Sequence, residues 1–400
     1  MIILLLVLPV LSSFATSLTP LELATLAQER APVIKMYLEQ QQVAEAQIKQ
    51  AKILANPVLT YQGGSLKAGT ESGRVTDLSL MQPIPWLGKR SSRIKSQEFL
   101  SNLSKLDTLE TKLLLGHRVY LLTHRLAHQM EMEKYNKQRK ERFSLIVKYL
   151  STRPLASPRQ SLEKDLIESQ IRLVEKTMNE LTSFKNGLLN ELSLLTGITD
   201  LEVKVDWAKL PASHPESFYS SNLSQGYRIK KMNENLRLSE NRIDEARVEA
   251  RPDIMVGVNY RQENVAPVNH FYHGQVAIVI PLVDRGQHSV QAARAQLRKD
   301  EAGMKVAQMD NASELIYSLE ALKASNRGLE LFPLGLLSKS SSRFSKAEEA
   351  FRKGQIDVMT FLQSDNQVHE NINLVYNSRI EYLDSLSRLE LLVGHHMEQN

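Results

Sequence analysis

A mainly α chain with four β-strands, built as two tandem copies, is the fold the sequence predicts, and three observations predict it. The first is a set of repeated landmarks. Ala51-Lys-Ile-Leu-Ala-Asn-Pro57 returns as Ala246-Arg-Val-Glu-Ala-Arg-Pro252, with the two prolines 195 residues apart. Pro83 and Gly88 return 198 residues on as Pro281 and Gly286, and the terminator Leu192-x-Leu-Leu-x-Gly197 returns 197 residues on as Leu389-x-Leu-Leu-x-Gly394. Four landmarks in one order at nearly constant displacement mark a duplication. The second observation is that the hydrophobic period changes after each proline, from helical to alternating. The third is composition: 42% hydrophobic and 24% charged, but only 6% aromatic residues suit long helices with narrow apolar seams.

Taken in order, residues 2–11 form an apolar run too short to span a bilayer, followed by Ser13-Phe-Ala15, a small-x-small pattern that a signal peptidase can cut. No Lys or Arg precedes the run, and a buried N-terminal strand or helix is the alternative. The expected organisation is a signal peptide over 1–17, a first repeat over 18–197 with a strand hairpin at 57–83, and a linker over 198–217. A second repeat follows over 218–394 with a hairpin at 252–281, then a tail over 395–400.

Residues 20–55 are rich in Ala, Gln, Glu, Leu and Lys and read as helix, ended by Asn56-Pro57 because proline lacks an amide donor and disfavours helix in its predecessor. The matching helix runs from about Phe218 to Ala250. Beyond Pro252, Ile254, Val256, Val258 and Tyr260 fall on one strand face, and Val276, Ile278 and Ile280 alternate in the partner strand. Leu59 and Tyr61, then Thr76, Leu78 and Leu80, repeat this more weakly. Polar segments 63–74 and 261–270 read as the connecting turns.

Helical composition resumes at Gly88 and Gly286. The first run lasts roughly 60 residues, or about 90 Å, until Ser151-Thr-Arg-Pro-Leu-Ala-Ser-Pro158 breaks it. A returning heptad seam holds Ile171, Val174, Met178, Leu181, Leu188, Leu192 and Leu195, with Lys185 at its one polar position. In the second copy the seam is Ile372, Val375, Tyr382, Leu386, Leu389 and Val393, interrupted by Arg379. Phe332-Pro-Leu-Gly335 reads as a kink and Phe351-Arg-Lys-Gly-Gln-Ile-Asp357 as the turn between antiparallel coiled-coil helices.

Several classes of function are disfavoured. The chain has 50 basic and 45 acidic residues, no cysteine and no basic block, so nucleic acid is not an expected partner and thiolate metal sites and disulfides are impossible. No phosphate loop, dinucleotide fingerprint or nucleophile elbow is present, so neither catalytic residues nor a cofactor are expected. His124-Arg-Leu-Ala-His128 lacks the glutamate of a zinc-protease helix, and His117, His124 and His128 read as solvated helix residues, not metal ligands. His395-His396 reads as part of a free tail.

Four strands are too few to close a barrel, and an open edge is not tolerated in lipid, so such strands require copies of the same chain. At this point the residues resemble a family, the TolC-like outer-membrane efflux proteins. The resemblance rests on the two proline strand starts, Gln82-Pro-Ile-Pro-Trp-Leu-Gly-Lys-Arg90, Ile280-Pro-Leu-Val-Asp-Arg-Gly286, Phe351-Arg-Lys-Gly354 and both terminators. It implies a homotrimer with a β-barrel portion in the outer membrane and long coiled-coil helices forming an α-barrel, closed only as a trimer. It also implies a passive exit duct for small molecules or metal cations in a tripartite efflux or type I secretion system, with a periplasmic adaptor, an inner-membrane pump and outer-membrane lipid as partners. Trp86, Tyr61, Tyr260, Phe271 and Tyr272 would form membrane girdles, simple aromatic pairing within the hairpins being the alternative. The tip and gating positions implied are Pro154, Pro158, Gly354, Asp357, Thr360 and Gln363. Acidic residues often ring this constriction in the family; Thr360 and Gln363 do not supply them, and Asp357 also reads as a helix N-cap. The rival reading is a soluble coiled-coil scaffold of the periplasm.

Overall fold

The computed structural model describes residues 17–69, 71–152, 158–264 and 267–397. The expected export segment therefore lies almost wholly outside the described residues, as does Pro154. Nine α-helices and six strands occur among the described residues: β1 (Ser17–Leu18), α1 (Pro20–Arg30), α2 (Pro32–Ala51), β2 (Val58–Ala68), β3 (Glu71–Ile84), α3 (Lys89–Ser151), α4 (Pro158–Thr196), β4 (Glu202–Val203), α5 (Glu216–Asn222), α6 (Tyr227–Glu249), β5 (Asp253–Asn264), β6 (Asn269–Val279), α7 (Gln287–Leu331), α8 (Gly335–Arg352) and α9 (Val358–Val393). The chain divides into two compact units that do not follow the two repeats. One comprises Met1–Lys35, Glu110–Gly226 and Asn311–Asn400; the other comprises Met36–Leu109 and Tyr227–Asp310.

The first unit is a helical assembly with a short parallel pairing of β1 and β4. Thr19 and Glu22 form a capping box that starts α1, Thr19 N donating to Glu22 Oε2 at 2.7 Å and Glu22 N donating to Thr19 Oγ1 at 3.3 Å. Helix continuity over 20–55 is not observed. Pro32 cannot donate to the helix and forces Ala31 to ψ 135°, so α1 ends at Arg30 and α2 begins at Pro32. The heptad seam of α4 points inward as expected: Val174, Leu188 and Leu192 are buried, and each such side chain contributes about 1.5–3 kcal/mol. Lys185, the polar seam position, reaches Glu133 at 2.5 Å. On α9, Val375, Tyr382, Leu386, Leu389 and Val393 are buried in the same way.

Arg379, which interrupts that seam, is buried and donates to the carbonyls of Val375 at 2.6 Å and Phe332 at 3.1 Å. Pro333 ends α7, so the Phe332 carbonyl has lost its helical partner, and the guanidinium supplies a replacement. The expected kink at 332–335 is thus a full break between α7 and α8.

In the second unit β2, β3, β5 and β6 form one antiparallel sheet in that order. The two expected hairpins are not separate: β3 pairs with β5 from Arg74↔Asn264 to Ile84↔Ile254. Their connections are also shorter than the polar composition suggested. Residues 63–68 and 71–74 are strand, paired from Gly63↔Thr76 to Ala68↔Glu71, and 261–264 and 269–270 belong to β5 and β6. A ladder satisfies the backbone whatever the side chains, so polar residues extend strands once both partners are present. At the base of the sheet Lys89 Nζ lies 2.6 Å from Asp253 and 3.8 Å from Glu249, so the strand exit of the first repeat is tied to the strand start of the second.

Repeat-related glycines occupy equivalent conformations. Gly88 and Gly286 have φ of 98° and 70°, and Gly197 and Gly394 have φ of 75° and 77°. A side chain is disfavoured in this left-handed region, which explains why the same residue stands at both copies of each landmark.

Candidate membrane face and helical tip

Directly paired residues share a face of an antiparallel sheet. One face therefore carries Leu59, Leu80 and Val258, then Val256 with Val276, then Ile84, Ile254 and Ile278. Leu59 is 65% exposed and Val258 and Val276 are each 64% exposed, so this apolar face is uncovered within the chain. The opposite face carries Thr60, Gln62, Asp77, Ser79, Asn259, Arg261, His273 and Gln275, with Val58, Met81, Met255, Ala277 and Val279 toward the base of the sheet. A sheet apolar on one face and polar over the upper part of the other suits lipid outside and water inside a barrel.

Tyr61, Leu78, Tyr260 and Tyr272 lie in a single cross-strand row on the apolar face. The Tyr260 and Tyr272 rings are 5.1 Å apart, and Tyr260 Oη is 2.8 Å from His270 Nδ1. From Ile254 to Tyr260 is six residues, or about 20 Å along the strand. Trp86 lies just beyond the other end of this band and is half-buried. Phe271 departs from the expected girdle: it pairs with Arg261 and so faces the polar side, because successive strand residues alternate. Past the tyrosine row the strands continue with Gln62, Arg261, Gln262 and Glu263, a polar extension beyond the apolar band.

The tip residues of the first unit are placed as follows. Gly354 has φ 71° and closes α8 in a two-bond turn, with Gln355 N donating to Ala350 O at 2.9 Å and Gly354 N to Phe351 O at 2.9 Å. Asp357 is the N-cap of α9, its Oδ1 accepting from Thr360 N at 2.8 Å. Hydrogen bonds from Thr360 hold the Asp357 carboxyl below its ordinary range. Thr360 and Gln363 are exposed, and Pro158 is the first residue of α4. Beneath this turn Phe344, Phe351 and Phe361 pack with Phe143, Ile146 and Ile167.

One functional-looking group has no signal in sequence spacing. Asp365 is fully buried and accepts from Arg139 Nε at 2.5 Å, with Arg139 Nη2 also paired to it and to Asn366. Burial raises the Asp365 carboxyl above its ordinary value, Arg139 opposing the shift. The partners lie on α3 and α9, 226 residues apart.

The three helix histidines are not solvated. His117, His124 and His128 are buried, and desolvation lowers each to about 4. His117 Nδ1 is 2.8 Å from Ser387 Oγ, and His124 Nδ1 is 2.9 Å from the Tyr120 carbonyl. Their side chains fill helix interfaces in the neutral state, which a one-helix view cannot show. The segment after α9 is likewise not a free tail as far as Met397, which is buried against the core of α5, α7 and α9.

An open four-stranded sheet with one apolar face, interleaved in sequence with long paired helices, is the fold of the TolC-like outer-membrane channels. The Campylobacter jejuni CmeC outer membrane channel matches with a TM-score of 0.79 at 15% identity, over 94% of this chain and 86% of that one. A membrane protein from Pseudomonas aeruginosa matches with a TM-score of 0.77 at 14% identity, over 94% and 90%. CusC, described in terms of transmembrane channel formation, matches with a TM-score of 0.73 at 14% identity, over 93% and 91%. No family profile and no curated protein matches the sequence. Among the described residues no helix is long and apolar enough to cross a membrane.

Proposed function

We propose that this chain is one subunit of a homotrimeric outer-membrane channel, a passive exit duct for small molecules or metal cations in a tripartite efflux or type I secretion system. The observation that carries this reading is the four-stranded sheet, open at β2 and β6, with an uncovered apolar face about 20 Å tall along its strands. In water such a sheet exposes two unpaired edges and an adhesive surface, which disfavours the soluble scaffold. Three copies joined edge to edge give twelve strands, remove every edge and place the polar face around a lumen. Tyr61, Tyr260 and Tyr272 at one end of the band and Trp86 at the other sit where interfacial aromatics belong.

In this reading the long helices serve the periplasmic part of the duct, and the N-terminal export segment delivers the chain there. The chain has no nucleotide-binding motif, so the energy for transport comes from an inner-membrane pump, with an adaptor engaging the turn at Gly354 and Asp357. Exposed Thr360 and Gln363 then line the constriction with neutral polar groups instead of an acidic ring.

Purified full-length protein in detergent and in planar bilayers tests this. A trimer mass, strand signal in circular dichroism and stepwise conductance are expected. A monomer that stays in the aqueous phase without detergent would overturn the reading.

A further inference from the structure

The C-terminus of α9 brings together two histidines and a glutamate that sequence spacing does not connect. Gly394, in the left-handed conformation, turns the chain so that His395 N donates to Glu390 O at 2.8 Å. The same turn folds the His395 ring back over the helix end, and His395 Nδ1 lies 2.9 Å from Glu390 Oε2. His214, just before α5, packs its ring against His395 with centroids 5.2 Å apart. One ring nitrogen from each histidine and a carboxylate oxygen of Glu390 all fall within 4.8 Å of one another.

We propose that His214, Glu390 and His395 form a binding site for a borderline divalent transition metal, Zn²⁺ being the representative ion. The donor set is that of a three-ligand zinc centre, two imidazoles and one carboxylate. A tetrahedral site with bonds near 2.0–2.1 Å needs ligand atoms about 3.4 Å apart, so the 2.9 Å His395–Glu390 pair opens slightly and His214 moves inward on coordination.

Three further features point to a built site. Glu390 is 3% exposed, and its Oε2 and His395 Nδ1 face one another at 2.9 Å with no other partner for either atom. At this distance either the Nδ1–H tautomer of His395 donates to the carboxylate or a metal ion takes the place of that proton. The other carboxylate oxygen, Oε1, accepts from Tyr219 Oη at 2.8 Å, and Tyr219 Oη in turn accepts from His214 N at 3.2 Å, so one hydroxyl orients two of the three ligands. His117 Nε2 lies 3.0 Å from the His395 carbonyl and can only donate to it, which leaves Nδ1 to accept from Ser387 Oγ at 2.8 Å. The third ligand is therefore anchored through its backbone from α3. Three protein ligands leave a fourth position for water or another donor. The site stands on this unit alone and does not depend on the channel reading.

Chelator-stripped full-length protein carrying no polyhistidine tag is titrated with ZnCl₂ by calorimetry, and its metal content after dialysis is measured by mass spectrometry. One equivalent per chain is expected, with a rise in the melting temperature, and Co²⁺ in its place should give the visible absorption of a four-coordinate ion. His214→Ala and His395→Ala should each abolish stoichiometric uptake while circular dichroism without metal is unchanged, and His273→Ala on β6 should bind as wild type. Tyr219→Phe, which keeps the ring and removes the orienting hydroxyl, should weaken binding by about tenfold or more. No stoichiometric uptake by the wild type, or equal uptake by the His214→Ala/His395→Ala double variant, overturns the site and leaves a direct His395–Glu390 contact as the explanation of the geometry.

Discussion

Replacing Arg139 by alanine strands a carboxylate that has no access to water. Asp365 is fully buried, its Oδ1 already lacks a partner, and Arg139 provides its direct hydrogen bonds through Oδ2. Removing one member of a buried pair costs about 3–5 kcal/mol, because the remaining charge keeps its desolvation penalty without compensation. Since 1.4 kcal/mol is a factor of ten, amides of α9 around Asp365 should exchange with deuterium about 10² to 4 × 10³ times faster when local opening limits exchange. Hydrogen exchange followed by mass spectrometry measures this locally, without requiring reversible unfolding of the whole protein.

The pH dependence has a definite sign. A carboxyl raised in the folded state binds its proton where the unfolded chain, near 3.9, has lost it, so stability falls as pH rises from about 3.9 through the folded value. Without Arg139 the folded value moves higher still. The penalty of the variant should therefore be largest near pH 7.5 and shrink on acidification. Arg139→Met combined with Asp365→Leu should recover most of the loss, since apolar replacement of a whole buried pair is often neutral. Exchange of these amides unchanged in Arg139→Ala, or a penalty that grows on acidification, refutes the reasoning.

Burial lowers His117, His124, His128 and His369 to about 4, so between pH 6.5 and 4 the unfolded chain takes protons that the folded chain refuses. Each of His117, His124 and His128 then withdraws up to about 3 kcal/mol over that window, and the half-buried His369 less; the melting temperature should drop steeply there, and a slope unchanged in His124→Gln contradicts this. Gly354→Ala should destabilise the α8–α9 turn by about 1–2 kcal/mol, because its φ of 71° is left-handed, and a melting curve identical to wild type counts against that. Asp357→Ala should speed amide exchange at Thr360 and leave the helix centre unaffected, whereas Asp357→Asn, still a good cap, should not. Tyr272→Ala, exposed at the rim of the apolar band, should reduce trimer recovery from liposomes more than Phe271→Ala, which faces the polar side; equal effects contradict the assigned faces.

Much of the fold was legible in the order of residues because it depends on local rules. Proline after Asn56 and Arg251 ends a helix wherever it occurs, and alternation in 254–260 puts apolar side chains on one face whatever the partner strand. The glycines at 88, 197, 286 and 394 mark turns because few other residues tolerate their φ. The same local signal stands at Pro32, where the expected long helix breaks. Composition failed at 63–74 and 261–270: turn-forming residues are only a preference, and a paired ladder overrides it.

The candidate sites divide along the same line. Asp357 as a cap is a property of four consecutive residues, so sequence could propose it. The helix histidines could not be assigned from one helix, since their burial is created by Ser387, Tyr376 and the chain near residue 395 arriving from elsewhere.

By itself the sequence determined the duplication, the alternation of long helices with short strands, the apolar strand face and the turns, all of which arise from interactions within a few residues. Only the tertiary structure decided that β3 pairs with β5, that Arg139 meets Asp365, and that His214 meets Glu390 and His395. Those contacts join segments more than a hundred residues apart, and their energies depend on burial, which no local pattern records.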